Sequence, residues 1–202
     1  MDQLWKPAAD TVLTGTTVEL TVADVARDAA DLFTALDVDD SWIHVRDRPR
    51  DVGAMADLIA QRQSDPTWLM WTVRLLTPLE GLEAGAAVGT TSYLEVAPYD
   101  KRGEIGFTVY TPPVWATTVN PECKLLLMEY AFTTLGWRRL QLKTDIRNAR
   151  SQAAISKLGA VREGVLRQHM RRPDGSLRDT VMFSVVADEW DSVKEGLKAR
   201  LR

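Results

Sequence analysis

The order of sequence patterns predicts a mixed α/β fold, an α+β arrangement whose single twisted sheet has about seven strands and helices on both faces. Three observations carry this. The middle of the chain holds three strand-like runs separated only by turn signals, the pattern of an antiparallel meander. The second half alternates capped, helix-periodic segments with short strand-like runs. A length of 202 residues with 45% hydrophobic and 26% charged content suits one domain over residues 1–202, with residues 1–11 as an N-terminal arm.

Taken in order, Val12 to Thr21 alternates and is rich in Val and Thr, which predicts one strand. Thr21 and Asp24 resemble a helix-starting cap, after which Val25, Ala29, Leu32, Phe33 and Leu36 recur at helical spacing. Asp37 to Asp51 is polar and irregular. A second helix starts near Asp51, is expected to bury Val52, Met55, Leu58 and Ile59, and ends before Pro66. The meander is Trp68 to Leu76, Ala87 to Val96 and Glu104 to Tyr110, joined by the Pro78 to Gly85 loop and the Pro98 to Gly103 turn.

Asn120 is expected to cap the next helix, with Pro121 in its first position. Leu125, Met128, Phe132 and Leu135 share one face of that helix, and Gly136 stops it. Leu140 to Asp145 reads as a strand. Asn148 caps a helix through Ala154, Ile155 and Leu158 that stops at Gly159. Two last strands flank the turn Pro173-Asp174-Gly175, and a helix from Asp188 follows.

Charge and composition narrow the function. A net charge of −3 gives no global basic field for nucleic acid or anionic lipid, and the basic run from Arg162 to Arg178 is interrupted by Glu163, Asp174 and Asp179. No segment approaches the ~20 apolar residues that span a bilayer, and the first residues lack the apolar stretch of a signal peptide. The single cysteine, Cys123, fits a reducing compartment, so a cytoplasmic protein is expected. His44 and His169 have no metal-ligand spacing with that cysteine, and no metal is expected.

An ordered series of residues then carries a resemblance. Glu104-Ile-Gly-Phe-Thr-Val is followed by Pro113-Val-Trp115, Tyr130-Ala-Phe-Thr-Thr-Leu-Gly136, Asn148-Ala-Arg-Ser151 and Lys157-Leu-Gly159. Glu163-Gly164, Arg167, Asp174-Gly175, Arg178-Asp179 and Glu189-Trp190 continue it. From Val12 to Trp190 the series resembles the GNAT superfamily, and within it the RimJ/RimL branch of ribosomal-protein N-terminal acetyltransferases. The resemblance implies the GNAT fold, acetyl-CoA as acyl donor, an amine acceptor and a V-shaped opening between two central strands. It departs from the family in the phosphate loop, which usually reads Gln/Arg-x-x-Gly-x-Gly/Ala. Here Trp115-Ala-Thr-Thr118-Val-Asn120 places Thr118 and Asn120 where small residues normally sit.

Acyl transfer to an amine needs a base for the incoming ammonium and a proton for the leaving thiolate. Glu104 is the candidate base, against the plainer reading of a strand-edge glutamate. By the resemblance, Ser151 is the candidate donor to the thiolate, and Asn148 contacts pantetheine; read alone, the pair is an Asn cap. The backbone of Phe107, Thr108 and Val109 is expected to bond the pantetheine amides. Thr117, Thr118, Val119, Asn120 and Lys124 are the expected phosphate site, because a helix N-terminus presents free N–H groups and the positive dipole end. Without the resemblance this segment is an ordinary Asn-Pro cap with a solvated lysine. Arg150 is a further candidate for the cofactor. Cys123 is read as a packing residue, since transfer in this family is direct.

The leading reading is therefore an acetyl-CoA-dependent N-acetyltransferase acting on a protein N-terminus or a small amine, with homo-oligomerisation left open. The alternative is a non-catalytic acyl-CoA-binding or partner-binding module, which the altered phosphate loop favours. A nucleic-acid-binding role is opposed by the charge.

Overall fold

The computed structural model describes residues 5–172 and 174–201; residues 1–4 of the arm and Pro173 of the last expected turn lie outside the described residues. The strands are β1 Val12–Thr14, β2 Val18–Val22, β3 Leu69–Leu75, β4 Ala87–Ala97, β5 Arg102–Tyr110, β6 Arg139–Asp145, β7 Val161–Arg171 and β8 Leu177–Val186. They form one eight-stranded sheet in the order β1-β2-β3-β4-β5-β6-β8-β7. Only β5 and β6 run parallel; the other neighbours are antiparallel. The helices are α1 Val25–Leu36, α2 Asp39–Trp42, α3 Val52–Ser64, α4 Val119–Glu129, α5 Ala149–Ser156 and α6 Trp190–Arg200. Among the described residues, no helix is long and apolar enough to cross a membrane.

The eighth strand corrects the expected count of seven. The Val12 to Thr21 run is not one strand but a hairpin, folded back at Gly15, Thr16 and Thr17. The cause lies 105 residues away, in the buried Glu122 of α4. Its Oε1 accepts from the N–H (2.7 Å) and hydroxyl (2.6 Å) of Thr16, and its Oε2 accepts from the N–H of Thr17 (2.8 Å) and Val18 (2.9 Å). One carboxylate thus satisfies a whole turn and pins it to α4.

Side-chain alternation gives the sheet two apolar faces. On one face α4, α5 and α6 bury Cys123, Leu127, Ile155, Leu158, Val193 and Leu197 against Trp71, Val73, Leu140, Leu142, Val181 and Phe183. On the other, α1, α2 and α3 bury Leu32, Leu36, Trp42, Met55 and Ile59 against Met70 and Val109. Asp28, fully buried, ties α1 to the sheet. It accepts from Arg27 Nε (2.9 Å), Thr72 Oγ1 (2.8 Å), Arg74 Nη2 (3.0 Å) and the N–H of Asp24 (2.9 Å).

Asp24, Asp51 and Asn148 cap α1, α3 and α5, their side chains accepting from the N–H of Arg27, Ala54 and Ser151, whereas Thr21, expected to share the first cap, lies inside β2. Three other details differ. α4 begins at Val119 with Thr118 as its cap residue, so Asn120 lies inside the helix and not at its cap, and Pro121 sits third. Proline is tolerated there because a first-turn N–H has no partner to lose. Val52 is 43% exposed, since at the first position of α3 it points away from the β3 surface that Met55 and Ile59 cover. The polar stretch after Asp37 contains the short α2, seated by its buried Trp42, whose Nε1 donates to Leu36 O (2.8 Å).

β5 is irregular along both of its edges. It pairs with β6 only through Arg102↔Arg139, Gly103↔Leu140 and Glu104↔Gln141, after which the strands separate. Opposite β4, the register slips between Gly106 and Val109, a bulge that leaves Phe107 at φ +46°.

Candidate active site

Where β5 and β6 part, the sheet opens into a cleft of about 590 Å³. From residue 105 onward β5 keeps its hydrogen bonds to β4 while its other edge faces the opening. Glu104, Phe107, Thr108, Val109, Asn120, Lys124, Asn148, Arg150 and Ser151 all line the cleft, so most of the residues singled out in the sequence come together around one space.

Glu104 stands at the point of separation and is 1% exposed. Its Oε2 accepts from Gln141 Nε2 (3.1 Å) and lies 3.1 Å from Lys143 Nζ. Burial pushes its carboxyl up from 4.5 to about 7; Lys143 opposes the rise and the nearby Glu95 carboxylate adds to it. Glu95 in turn accepts from Lys143 Nζ and, at 3.2 Å, from Gln141 Nε2. The group is therefore a lysine held between two carboxylates, one exposed and one sealed in the sheet. Gly106 leaves room for this, because a Cβ there would sit 2.7 Å from Glu104 Oε1. A carboxyl that titrates near neutrality inside a cleft is suited to exchanging a proton with a bound amine.

The other side of the cleft is a helix N-terminus. Among the described residues, no acceptor meets the backbone N–H of Ala116, Thr117 or Thr118, which precede α4, and Ala116 is held at φ +62°. Free N–H groups at a helix start are an anion site. The side chains expected to help are used otherwise. Thr117 Oγ1 donates to Val114 O (2.7 Å), the Thr118 hydroxyl lies 3.5 Å from that of Thr17, and Val119 is fully buried. These three do not line the cleft with their side chains; any contact they make with a phosphate goes through backbone.

Lys124 differs from both readings of it, phosphate ligand and solvated lysine. It is 4% exposed, and its Nζ donates to Thr108 Oγ1 (2.9 Å) and Thr91 Oγ1 (3.2 Å) in the sheet. It meets the cleft from its floor beside Thr108. Burial lowers its ammonium to about 8. Cys123, one residue earlier, is completely buried, and burial raises its thiol to about 11, which leaves no thiolate to act as a nucleophile.

Asn148 and Ser151 open α5 at the cleft, with Asn148 Oδ1 accepting from Ser151 N at 2.9 Å. Arg150 lays its guanidinium over the Trp115 ring, 3.9 Å from the centroid, and so bridges α5 and the loop before α4. Among the described residues, no cluster of three or more His, Cys, Asp or Glu side chains is placed to hold a metal.

Several cleft residues were not singled out from the sequence: Glu95, Lys143, Arg62 and Trp68; His44 was weighed only as a metal ligand, and Arg178 was quoted only in the motif series and as the end of a basic run. Lys143 carried a signal, since Gln141, Lys143 and Asp145 alternate with Leu140 and Leu142 and so share one face of a strand. Arg62 and Trp68 carried none: their stacking, 4.2 Å from guanidinium to ring, joins the end of α3 to the segment leading into β3.

Comparison with known proteins bears on the family and the fold. The chain is 30% identical over 108 residues to the uncharacterized N-acetyltransferase YoaA of Bacillus subtilis (strain 168); the match covers 54% of this chain and spans 60% of YoaA. A GCN5-related N-acetyltransferase from Brucella melitensis superposes with a TM-score of 0.87 and 25% identity, over 98% of this chain and 87% of that one. Mycobacterium smegmatis RimJ, solved in complex with CoA-disulfide, shares the fold at a TM-score of 0.78 and 19% identity, over 95% of this chain and 92% of RimJ. Residues 19–161, which run from β2 to the start of β7 and include β5, α4, β6 and α5, match the family profile of the acetyltransferase (GNAT) domain, and the chain belongs to that family.

Proposed function

We propose that this chain is a cytoplasmic, acetyl-CoA-dependent N-acetyltransferase of the RimJ/RimL kind, acting as one domain over residues 1–202 and moving the acetyl group directly to an amine. The observation that carries the reading is Glu104: a carboxylate buried where the sheet opens and poised near pH 7. The cleft suits the donor. Three N–H groups without acceptors, at Ala116, Thr117 and Thr118, offer a seat for a pyrophosphate. The free edge of β5 from Phe107 to Val109 offers amide groups to an extended pantetheine arm, and the CoA-disulfide held by RimJ supports a CoA ligand.

In this reading the ionised Glu104 takes a proton from the incoming ammonium. The neutral nitrogen attacks the thioester carbonyl and a C–N bond forms; the nitrogen sheds its second surplus proton to solvent, and the C–S bond breaks as the tetrahedral centre collapses. Ser151 Oγ gives its proton to the departing thiolate and recovers one from solvent. General-base help of this kind contributes ~10²–10⁴-fold. Cys123 takes no part, because its buried thiol is protonated at neutral pH.

A second reading, a non-catalytic acyl-CoA-binding module, is favoured by one observation. Where the family pattern has small residues, this chain has Thr118, whose hydroxyl lies 3.5 Å from that of Thr17, and Asn120, which lines the cleft. Turnover separates the two. Acetyl-CoA mixed with a panel of peptide N-termini and small amines should release free thiol with an acetylated product of matching mass. CoA binding without thiol release from any amine would support the module.

A further inference from the structure

The cleft is cationic although the chain as a whole is acidic. It is lined by Arg46, Arg62, Arg150, Arg171, Arg172 and Arg178, together with two lysines, against Asp47, Glu95, Glu104 and Asp145. Some of these charges are already matched: Arg172 pairs with Asp145 (2.5 Å) and Arg62 with Asp47 (3.0 Å). Others are not. Among the described residues, no carboxylate lies within ion-pair distance of Arg46, Arg171 or Arg178. Arg171 donates only to the Gly175 carbonyl (3.2 Å), and Arg178 Nε is buried with no partner at all. Arg178 has given up water without gaining an anion and is a strong site for one, and the exposed Arg46 and Arg171 add positive charge beside it.

Register places Arg178 on the Glu104 face of the sheet. Thr180 pairs with Asp145, and Met182 with Lys143, so two-residue alternation puts Arg178 on the face that carries Lys143 and, across β5, Glu104. The Leu140 and Leu142 face, where α4 and α5 pack, is the opposite one. Arg46 and Arg171 also line a cavity of about 550 Å³ that adjoins the cleft beyond α2. An acceptor reaching Glu104 from this face therefore passes the three unmatched guanidinium groups.

We propose that the acceptor is a carboxylate-bearing amine, its acidic group held by Arg178, Arg171 and Arg46 while its nitrogen reaches Glu104. This rests on the N-acetyltransferase reading for the role of Glu104, but the arginine site is a binding site in its own right. The same chemistry has two sources, a free amino acid and an acidic segment at a peptide N-terminus.

Equilibrium binding to the full chain saturated with CoA tests it without turnover. The probes are free glutamate against glutamine, and the C-terminally amidated peptide Ala-Glu-Glu-Ala against Ala-Gln-Gln-Ala. We expect the acidic member of at least one pair to bind at least ten-fold more tightly than its neutral isostere. Preference confined to the peptide pair names a chain terminus as acceptor; preference confined to the free pair names a small molecule. Arg178→Gln and Arg171→Gln should each cut the preference at least three-fold and leave CoA affinity unchanged. Should Arg178→Gln fail to fold, Arg171→Gln and Arg46→Gln, at exposed positions, carry the same test. Equal or absent binding of acid and neutral probes overturns the proposal, as does a preference that survives the substitutions. Loss of CoA affinity in the arginine variants would assign these groups to phosphates and also overturn it. Acid-selective binding with no thiol release from any amine would leave the arginine site standing and refute the catalytic reading instead.

Discussion

Replacing Lys143 by methionine removes the cation in contact with the Glu104 carboxyl and keeps the side-chain length. At the 3.1 Å separation of Lys143 Nζ and Glu104 Oε2, opposite unit charges attract by about 5 kcal/mol at an effective dielectric of about 20. One pH unit corresponds to about 1.4 kcal/mol. The full value is not expected, because Glu95 shares the lysine and water enters where it is truncated. Glu95 remains close as a like charge, however, and its influence acts in the same direction. We expect the Glu104 midpoint to rise by one to two pH units, roughly, from its present value near 7.

The sign decides the assay. A base works ionised, so the wild-type rate should climb as pH rises through about 7, and the variant should climb later. For a rise of one unit, the ionised fraction at pH 7 falls from about one half to about one tenth. An acceptor amine with a pKa of about 10 stays an ammonium through neutral pH, so its own titration lies outside the range in which the kcat/KM profile reports Glu104. Glu104 can also be followed directly through the carbon-13 shift of its carboxyl, assigned by its loss in Glu104→Gln. The Lys143→Met profile should reach a plateau near the wild-type level at high pH, while Glu104→Gln should lose the inflection. A Lys143→Met midpoint unchanged or lowered would refute the electrostatic account of the site.

Three further outcomes are expected from the buried polar groups. Lys124→Met should stabilise the fold at pH 7 by about 1–3 kcal/mol, since the native state holds an unpaired ammonium at about 8 against 10.5 when unfolded. Because that pKa is lowered, wild-type stability should rise between pH 8 and 10.5, and the variant should lack this increment in denaturant titrations. Glu122→Gln should cost about 2–4 kcal/mol, because an amide NH₂ then faces two N–H donors of the β1–β2 turn; thermal melting reads this as a lower Tm. Cys123→Ala should leave kcat within about two-fold, with any loss appearing as a lowered Tm from the cavity it opens.

Most of the fold was legible because its signals are local. The Asp24, Asp51 and Asn148 caps, the meander turns and the apolar stripes of α1 and α3 each lie within a few residues of what they specify, whereas of the stripe expected in α4 only Met128 is buried. The β1–β2 hairpin was not, because the residue that bends the chain at Thr16 and Thr17 is Glu122, remote in sequence, and Val-Thr alternation alone reads as continuous strand. The start of α4 was misplaced for a related reason. Asn-Pro is a strong local cap signal, yet the helix begins two residues before the proline, where Val119 is fully buried in the core. Burial of one apolar residue outweighs a side-chain cap of about 1 kcal/mol.

The site divides in the same way. Glu104, Asn148 and Ser151 sit at element ends, and an ordered series of short motifs marked them. Lys124 did not follow its surroundings in sequence: near the start of a helix it reads as solvated, yet α4 turns it inward onto Thr91 and Thr108. The partners that give Glu104 its chemistry come from two other strands, Glu95 on β4 and Gln141 and Lys143 on β6. They meet it only because the last parallel pair of β5 and β6 is Glu104↔Gln141. The register at which two strands part thus sets both the position of the cleft and the proton affinity of the group at its base. A cleft cut through a sheet is also reached from both sides. The N–H groups before α4 wait for an anion on one, and the unmatched arginines on the other. Donor and acceptor on opposite faces can meet only where the strands diverge, and that is where Glu104 stands.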